Sequence, residues 1–141
     1  MQEIIIYTDG GARGNPGPAA SGIVVYEGDP STGSGHLLSQ VKKYLGDGLT
    51  NNWAEYEAVL LALAEVKRLG LAGRAIEFRA DSKLVVEQIS GNWKVKEPSL
   101  KPKVAEARAL LADFPGSRFV YIPREENKEA DRLVNEALDE R

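Results

Sequence analysis

Cysteine is absent from this chain of 141 residues, and histidine occurs once, at His36. The first absence excludes disulfides, cysteine–zinc sites and thiol nucleophiles, and it fits a reducing compartment. The second leaves no pair of imidazoles for a metal centre. Long apolar runs are missing as well. The longest, Ala58 to Ala64, is far too short to cross a bilayer. Met1-Gln2-Glu3 shows neither the charged nor the apolar region of a signal peptide. The expectation is a cytoplasmic protein with no membrane partner. Excess positive charge is also lacking: the formal net charge is −3 and the pI about 5.3. That balance is not the usual footprint of a nucleic-acid binder, although carboxylates that hold cations change the local sign.

What is present is an ordinary globular composition, 43% hydrophobic and 28% charged. The length suits one domain, residues 1–141, with one core. Residues 3–9 read as a strand. Gly10 to Pro18, rich in glycine and proline, reads as a loop. Ser21 to Glu27 reads as a second strand, and His36 to Leu45 as a third after a turn-rich stretch. Strands this close, with no helix between them, imply an antiparallel meander. Asn51 to Leu69 is helical and closed by Gly70. Ala75 to Ala80 is a fourth strand, Asp81 to Ile89 a helix, and Ser99 to Ala112 a further helix after a polar loop. Arg118 to Ile122 is a fifth strand. Asn127 to Leu138 is a terminal helix with Asn127 as its N-cap. The fold class is α/β: a mixed sheet with helices packed on its faces.

Four carboxylates fall where these elements change type: Asp9, Glu55, Asp81 and Asp131. Strand ends and helix starts are where such domains build their sites. Each acid also has a structural explanation. Asp9 precedes glycine and suits a turn. Asn52-Trp53-Ala54-Glu55 fits a capping box, yet Glu55 lies in line with Val59, Ala62 and Val66, the stripe expected to face the core. Asp81 competes with Ser82 as an N-cap, and Asp131 suits the positive end of a helix dipole. Together they point further. Mg²⁺ takes oxygen ligands, and two such ions roughly 3.5–4 Å apart suit in-line displacement at a phosphodiester. The glycines Gly10, Gly11, Gly14 and Gly17 would let another molecule approach the backbone closely.

Four blocks carry a resemblance: Tyr7 to Pro18 (YTDGGARGNPGP), Thr50 to Tyr56 (TNNWAEY), Asp81 to Val86 (DSKLVV) and Asn127 to Asp131 (NKEAD). In this order and at these separations the chain resembles type 1 ribonuclease H from Ile4 to Leu138. The resemblance implies a five-stranded mixed sheet, its first three strands antiparallel, flanked by helices. It implies Asp9, Glu55, Asp81 and Asp131 as catalytic carboxylates holding two Mg²⁺ or Mn²⁺ ions. It also implies hydrolysis of the RNA strand of an RNA–DNA hybrid, leaving 3′-hydroxyl and 5′-phosphate ends, by a monomer with no obligate protein partner. Gly14 and Asn15 would follow the RNA minor groove, and Asn51 and Asn52 would contact the two strands. Thr50 would hold a DNA-strand phosphate. Trp93 would pack on the DNA backbone, with a place in the core as its alternative.

Two departures from the family pattern stand out. The loop before the last acid, Pro123-Arg124-Glu125-Glu126-Asn127, has Arg124 where many members carry histidine. Arg124 suits contact with the scissile phosphate or product, or an ion pair with Glu125 or Glu129. It cannot serve as a base. The segment Asn92 to Lys103, where some relatives carry a basic protrusion, is short but holds Lys94, Lys96, Lys101 and Lys103 against Glu97. Two other functions use the same architecture: a nuclease for double-stranded RNA or branched DNA, and a non-catalytic hybrid-binding module.

Overall fold

A computed structural model describes residues 2–141. The chain forms β1 (Ile4–Ala12), β2 (Gly17–Glu27), β3 (His36–Leu49), α1 (Asn51–Arg68), β4 (Ile76–Ala80), α2 (Lys83–Ile89), α3 (Lys101–Leu111), β5 (Arg118–Tyr121) and α4 (Lys128–Asp139). The five strands make one sheet in the order β3-β2-β1-β4-β5. β1, β2 and β3 pair antiparallel, while β4 and β5 join in parallel. No helix among the described residues is long and apolar enough to cross a membrane.

The central strand explains the arrangement. Ile4, Ile5 and Ile6 are all buried, as expected of a strand covered on both faces. One face of the sheet presents Ile4, Ile6, Ile23, Val25 and Phe78 to Tyr56, Val59, Leu63 and Val66 of α1, with Val104 and Ala107 of α3 completing the main core. The other face is covered in part by α4, where Val134, Ala137 and Leu138 pack on Ala20. Beyond α4 that face is mixed, with Tyr7, Tyr26 and Val120 beside Glu77 and Arg79. Arg79 there is bound by Asp29 through two hydrogen bonds of 2.9 and 2.7 Å and by Glu77 at 2.6 Å. The Arg79 guanidinium accordingly holds the Asp29 carboxyl well below the usual range.

The expected elements occur, with different limits. The stretch Gly10 to Pro18 is not all loop. Gly10, Gly11 and Ala12 continue β1 and pair with Ser21, Ala20 and Ala19, and β2 already begins at Gly17. Glycine weakens a strand, but here a partner strand supplies the ladder on one side. β3 runs on to Leu49 rather than ending at Leu45, accommodating Gly46 with its φ of +117° opposite a register shift at Ala19. α2 starts at Lys83 and α3 at Lys101, each two residues later than expected.

Two of these glycines are required by the chain's own packing. A Cβ at Gly10 would stand 2.3 Å from the carbonyl of Ala54, so the absent side chain admits helix α1 itself. A Cβ on Gly17 would likewise meet the Arg13 carbonyl oxygen at 2.1 Å. At Gly11 the nearest atom would be Val134 Cγ1 at 3.6 Å, an ordinary contact. Gly10→Ala is therefore expected to cost at least about 2 kcal/mol, as overpacking against rigid backbone does, while Gly11→Ala stays within about 1 kcal/mol. Thermal denaturation of the two variants beside the parent chain checks this.

Candidate active site

Helix α1 begins where β1 ends, and the sequence specifies the junction. Thr50 has extended backbone, and its Oγ1 accepts from the Trp53 amide at 3.2 Å, so Thr50 is the N-cap. The expected capping box is not formed: neither Asn52 nor Glu55 caps the helix. Asn51 Oδ1 instead accepts from the Ala12 amide at 2.8 Å, and Asn15 Oδ1 accepts from the Asn51 amide at 3.0 Å. These two bonds fasten the β1–β2 turn, which contains a cis Asn15-Pro16 peptide, to the start of α1. Ser21 Oγ adds a bond to the Ala54 carbonyl at 2.7 Å.

Glu55 is thereby pressed against the strand end. Its Oε1 accepts from the Gly10 amide at 3.1 Å, and Asp9 Oδ1 accepts from the same amide at 3.0 Å. Asp81 arrives from the end of β4, the strand parallel to β1. Asp9, Glu55 and Asp81 each place a carboxylate oxygen within 4.8 Å of the others. Asp81 does not cap α2; Ser82 does, through its bond from the Val85 amide.

Asp131, one turn into α4, stands apart from this trio. It lines a cleft of about 370 Å³ with Asp9, Glu55, Arg13, Asn51, Asn135 and Arg124. Its side chain is 35% exposed, and its nearest cation is Arg124 Nη2 at 3.9 Å. Arg124 itself is 82% exposed and pairs with neither Glu125 nor Glu129 among the described residues. Asn127, at the N-cap position of α4, makes no side-chain cap. It is buried, and its Nδ2 donates to the Thr8 carbonyl at 2.8 Å, tying the start of α4 to the strand beside Asp9. The sequence marks Asn127 as the N-cap, the position it occupies, but its bond to the Thr8 carbonyl far along the chain has no local signal.

The electrostatics of the trio are unfavourable without a cation. Burial, followed by the charge of Asp81, pushes the Asp9 carboxyl up to about 7. Burial, then Asp9, raises Glu55 well above its ordinary value. Burial also raises Asp81, with Asn127 and Arg124 pulling it partly back. Glu55 Oε2 is buried with no hydrogen-bond partner, a costly state for a carboxylate oxygen unless a cation or proton satisfies it.

Most of the remaining residues marked by the sequence lie in a second recess, which none of the four acids lines. Asn15, Thr50, Asn52 and Trp93 line one groove of about 850 Å³ with Gln88, Lys94 and Lys96. Trp93 is 44% exposed, which removes the core reading of this residue. Gly14 sits in the turn with φ +84°. Of the segment's lysines, Lys103 is not free: it pairs with Glu57 and stands 3.8 Å over the Trp53 ring. His36 opens the edge strand β3, away from these residues.

The pattern of the reverse transcriptase-like family matches residues 7–137. The RNase H1 of the archaeon Halobacterium salinarum superposes with a TM-score of 0.89 at 40% identity, covering 99% of both chains. The chain belongs to the type 1 ribonuclease H family. LC11-RNase H1, solved in complex with an RNA/DNA hybrid, is 48% identical with a TM-score of 0.89 and covers 98% of each chain. A bifunctional protein of Mycobacterium tuberculosis is 44% identical over 97% of this chain, which spans only 36% of that longer protein. The family resemblance and the mixed sheet expected from sequence therefore hold.

Two outcomes are expected. Thr50→Ala should cost about 1 kcal/mol through loss of the cap, with Asn52→Ala smaller, in chemical denaturation. The second concerns pH. A carboxyl raised in the folded state adds no penalty below its ordinary pKa of 3.8, where both states are protonated, and its full penalty above about 7. Metal-free Asp9→Asn should thus be more stable than the parent by about 1–2 kcal/mol at pH 8, with the gap closing towards pH 4, since the neighbours share the proton. Melting temperatures across that range, in chelator, decide it.

Proposed function

We propose that this chain, as one domain over residues 1–141, is a metal-dependent endoribonuclease that hydrolyses the RNA strand of RNA–DNA hybrids. The observation that carries the reading is the meeting of Asp9, Glu55 and Asp81 from three different elements, beside a groove lined by Asn15, Thr50, Asn52 and Trp93. The hybrid as substrate is supported by LC11-RNase H1, which binds one. The absence of cysteine suits the reducing cytoplasm.

The donor set fits a hard divalent cation. It is all oxygen, it is mutually repulsive, and Glu55 Oε2 is an unsatisfied buried acceptor. Asp9, Glu55 and Asp81 would hold Mg²⁺ or Mn²⁺, with Asp131 completing a second position from the open side of the cleft. Bound there, two ions would activate water and stabilise the leaving oxygen, giving 3′-hydroxyl and 5′-phosphate ends.

The protein's own part is positioning. Gly10 donates its amide to Asp9 and Glu55 together, which fixes the two carboxylates relative to each other. Asn15 and Asn51 spend their side-chain oxygens on backbone amides, leaving their amide NH₂ groups available for a 2′-hydroxyl or base edge. Thr50 and the lysines 94 and 96 face the groove where a phosphate backbone would run. Arg124, exposed at the mouth, suits the scissile phosphate as a fixed positive charge.

The test is cleavage of an end-labelled hybrid with Mg²⁺ and with Mn²⁺, beside duplex RNA and branched DNA. Cleavage of the hybrid's RNA strand, lowered at least about 10³-fold in Asp9→Asn, supports the reading. Preference for either other substrate, or full activity in Asp9→Asn, would overturn it. Hybrid binding without cleavage, together with no divalent-ion binding by calorimetry, would make the chain a binding module.

A further inference from the structure

The groove has one wall made from a short loop. After α2 ends at Ile89, Gly91 turns the chain with φ +85°, and residues 92–97 cross to α3 carrying Trp93, Lys94 and Lys96. The loop's start is held by backbone: the Asn92 and Trp93 amides donate to the Glu87 carbonyl at 2.9 and 3.2 Å. Its far end is held by local bonds from Leu100 and Ser99 to Glu97. Between Trp93 and Glu97 the loop is tied to the body by Val95, which packs on the main core, and by one hydrogen bond among the described residues. Gln88 Nε2 donates to the Lys94 carbonyl at 3.2 Å.

Gln88 is placed for this with little freedom. It is 4% exposed and lies on the inward side of α2 beside Val85 and Ile89. Its Oε1 accepts from the Tyr56 hydroxyl at 2.7 Å. A carbonyl can only accept, so the Lys94 contact requires the NH₂ end of the amide there, and the oxygen must face Tyr56. Tyr56 is fully buried in α1, one residue after Glu55. The Gln88 main-chain oxygen meanwhile accepts from Arg108 of α3 at 2.8 Å. A single residue therefore links α1, α3 and the groove wall. An amide in an apolar environment needs both partners, because an unpaired buried polar group is costly.

We propose that Gln88 is a positioning residue for substrate binding: clamped between the Tyr56 hydroxyl and the Lys94 carbonyl, it fixes the Trp93–Lys96 wall of the groove against α1. This rests on the reading that the groove holds an RNA–DNA hybrid. With the clamp intact, Trp93 and the two lysines are pre-ordered, so binding loses less conformational freedom. The clamp touches none of the four acids, so its loss acts on the grip and leaves the chemical step.

Gln88→Met keeps length and apolar bulk while removing both bonds, and Tyr56→Phe removes one oxygen. Each is tested for KM and kcat on a labelled hybrid, and for hybrid affinity by fluorescence anisotropy in an Asp9→Asn background. Deuterium exchange of residues 94–97 reports the loop, and thermal melting reports the fold. The expected result is KM and dissociation constant raised roughly tenfold, kcat within about twofold, and faster exchange in the loop. A stability role alone would lower the melting temperature and leave KM unchanged. Unchanged hybrid affinity in both variants, an equal fall in kcat, or failure of both to fold would overturn the inference. If the parent chain neither binds nor cleaves the hybrid, the functional reading itself fails; if the parent does both and the variants match it, only the role of Gln88 does.

Discussion

Everything at the site depends on how closely the first turn of α1 approaches the end of β1. The contact is backbone to backbone, at Gly10 and Ala54, and no residue larger than glycine allows it. Once the helix is that close, Glu55 has one place to go, beside Asp9 on the Gly10 amide. The Ser21 hydroxyl on the Ala54 carbonyl and the Asn51 side-chain oxygen on the Ala12 amide hold the approach from both sides. The repulsion among the acids is thus imposed by packing that is satisfied elsewhere. A large apolar core beneath α1 offsets a local cost that the carboxylates alone would not sustain.

The fourth acid obeys a different rule. Asp9 and Glu55 are buried where β1 meets α1, whereas Asp131 sits on α4, which packs on the opposite face of the sheet, and its side chain is 35% exposed. Asn127 ties the start of α4 directly to β1. The site is in this sense three carboxylates gathered at the strand ends and one presented from the rim, with the exposed Arg124 beside it.

Much of this was legible in the chain. The alternation of element types placed the acids at junctions, because the apolar strand runs stop at Asp9 and Ala80 and the helical patterns start at Asn51 and Asn127. Other features were not. The run Gly10-Gly11-Ala12 carries loop composition, and only a neighbouring strand and an incoming helix make it a strand. The capping box at Asn52 to Glu55 was a plausible local solution, overridden when Thr50 took the cap and Glu55 found the Gly10 amide 45 residues away. The roles of Gln88, within α2, and of Asn127, at the start of α4, have no local signal, because their partners lie in parts of the chain that no local pattern connects.

The first turn of α1 also acts as a partition. Asn51 faces the acid cleft, while Thr50 and Asn52 face the groove. The two recesses are therefore separated by one rigid helical turn, not by a hinge or a flexible loop. For a nucleic acid lying across both, the interval between the gripped phosphates and the bond facing the acids is a fixed length. Under the proposed function, the position of the bond at the acids would be set by where the strand is held along this turn.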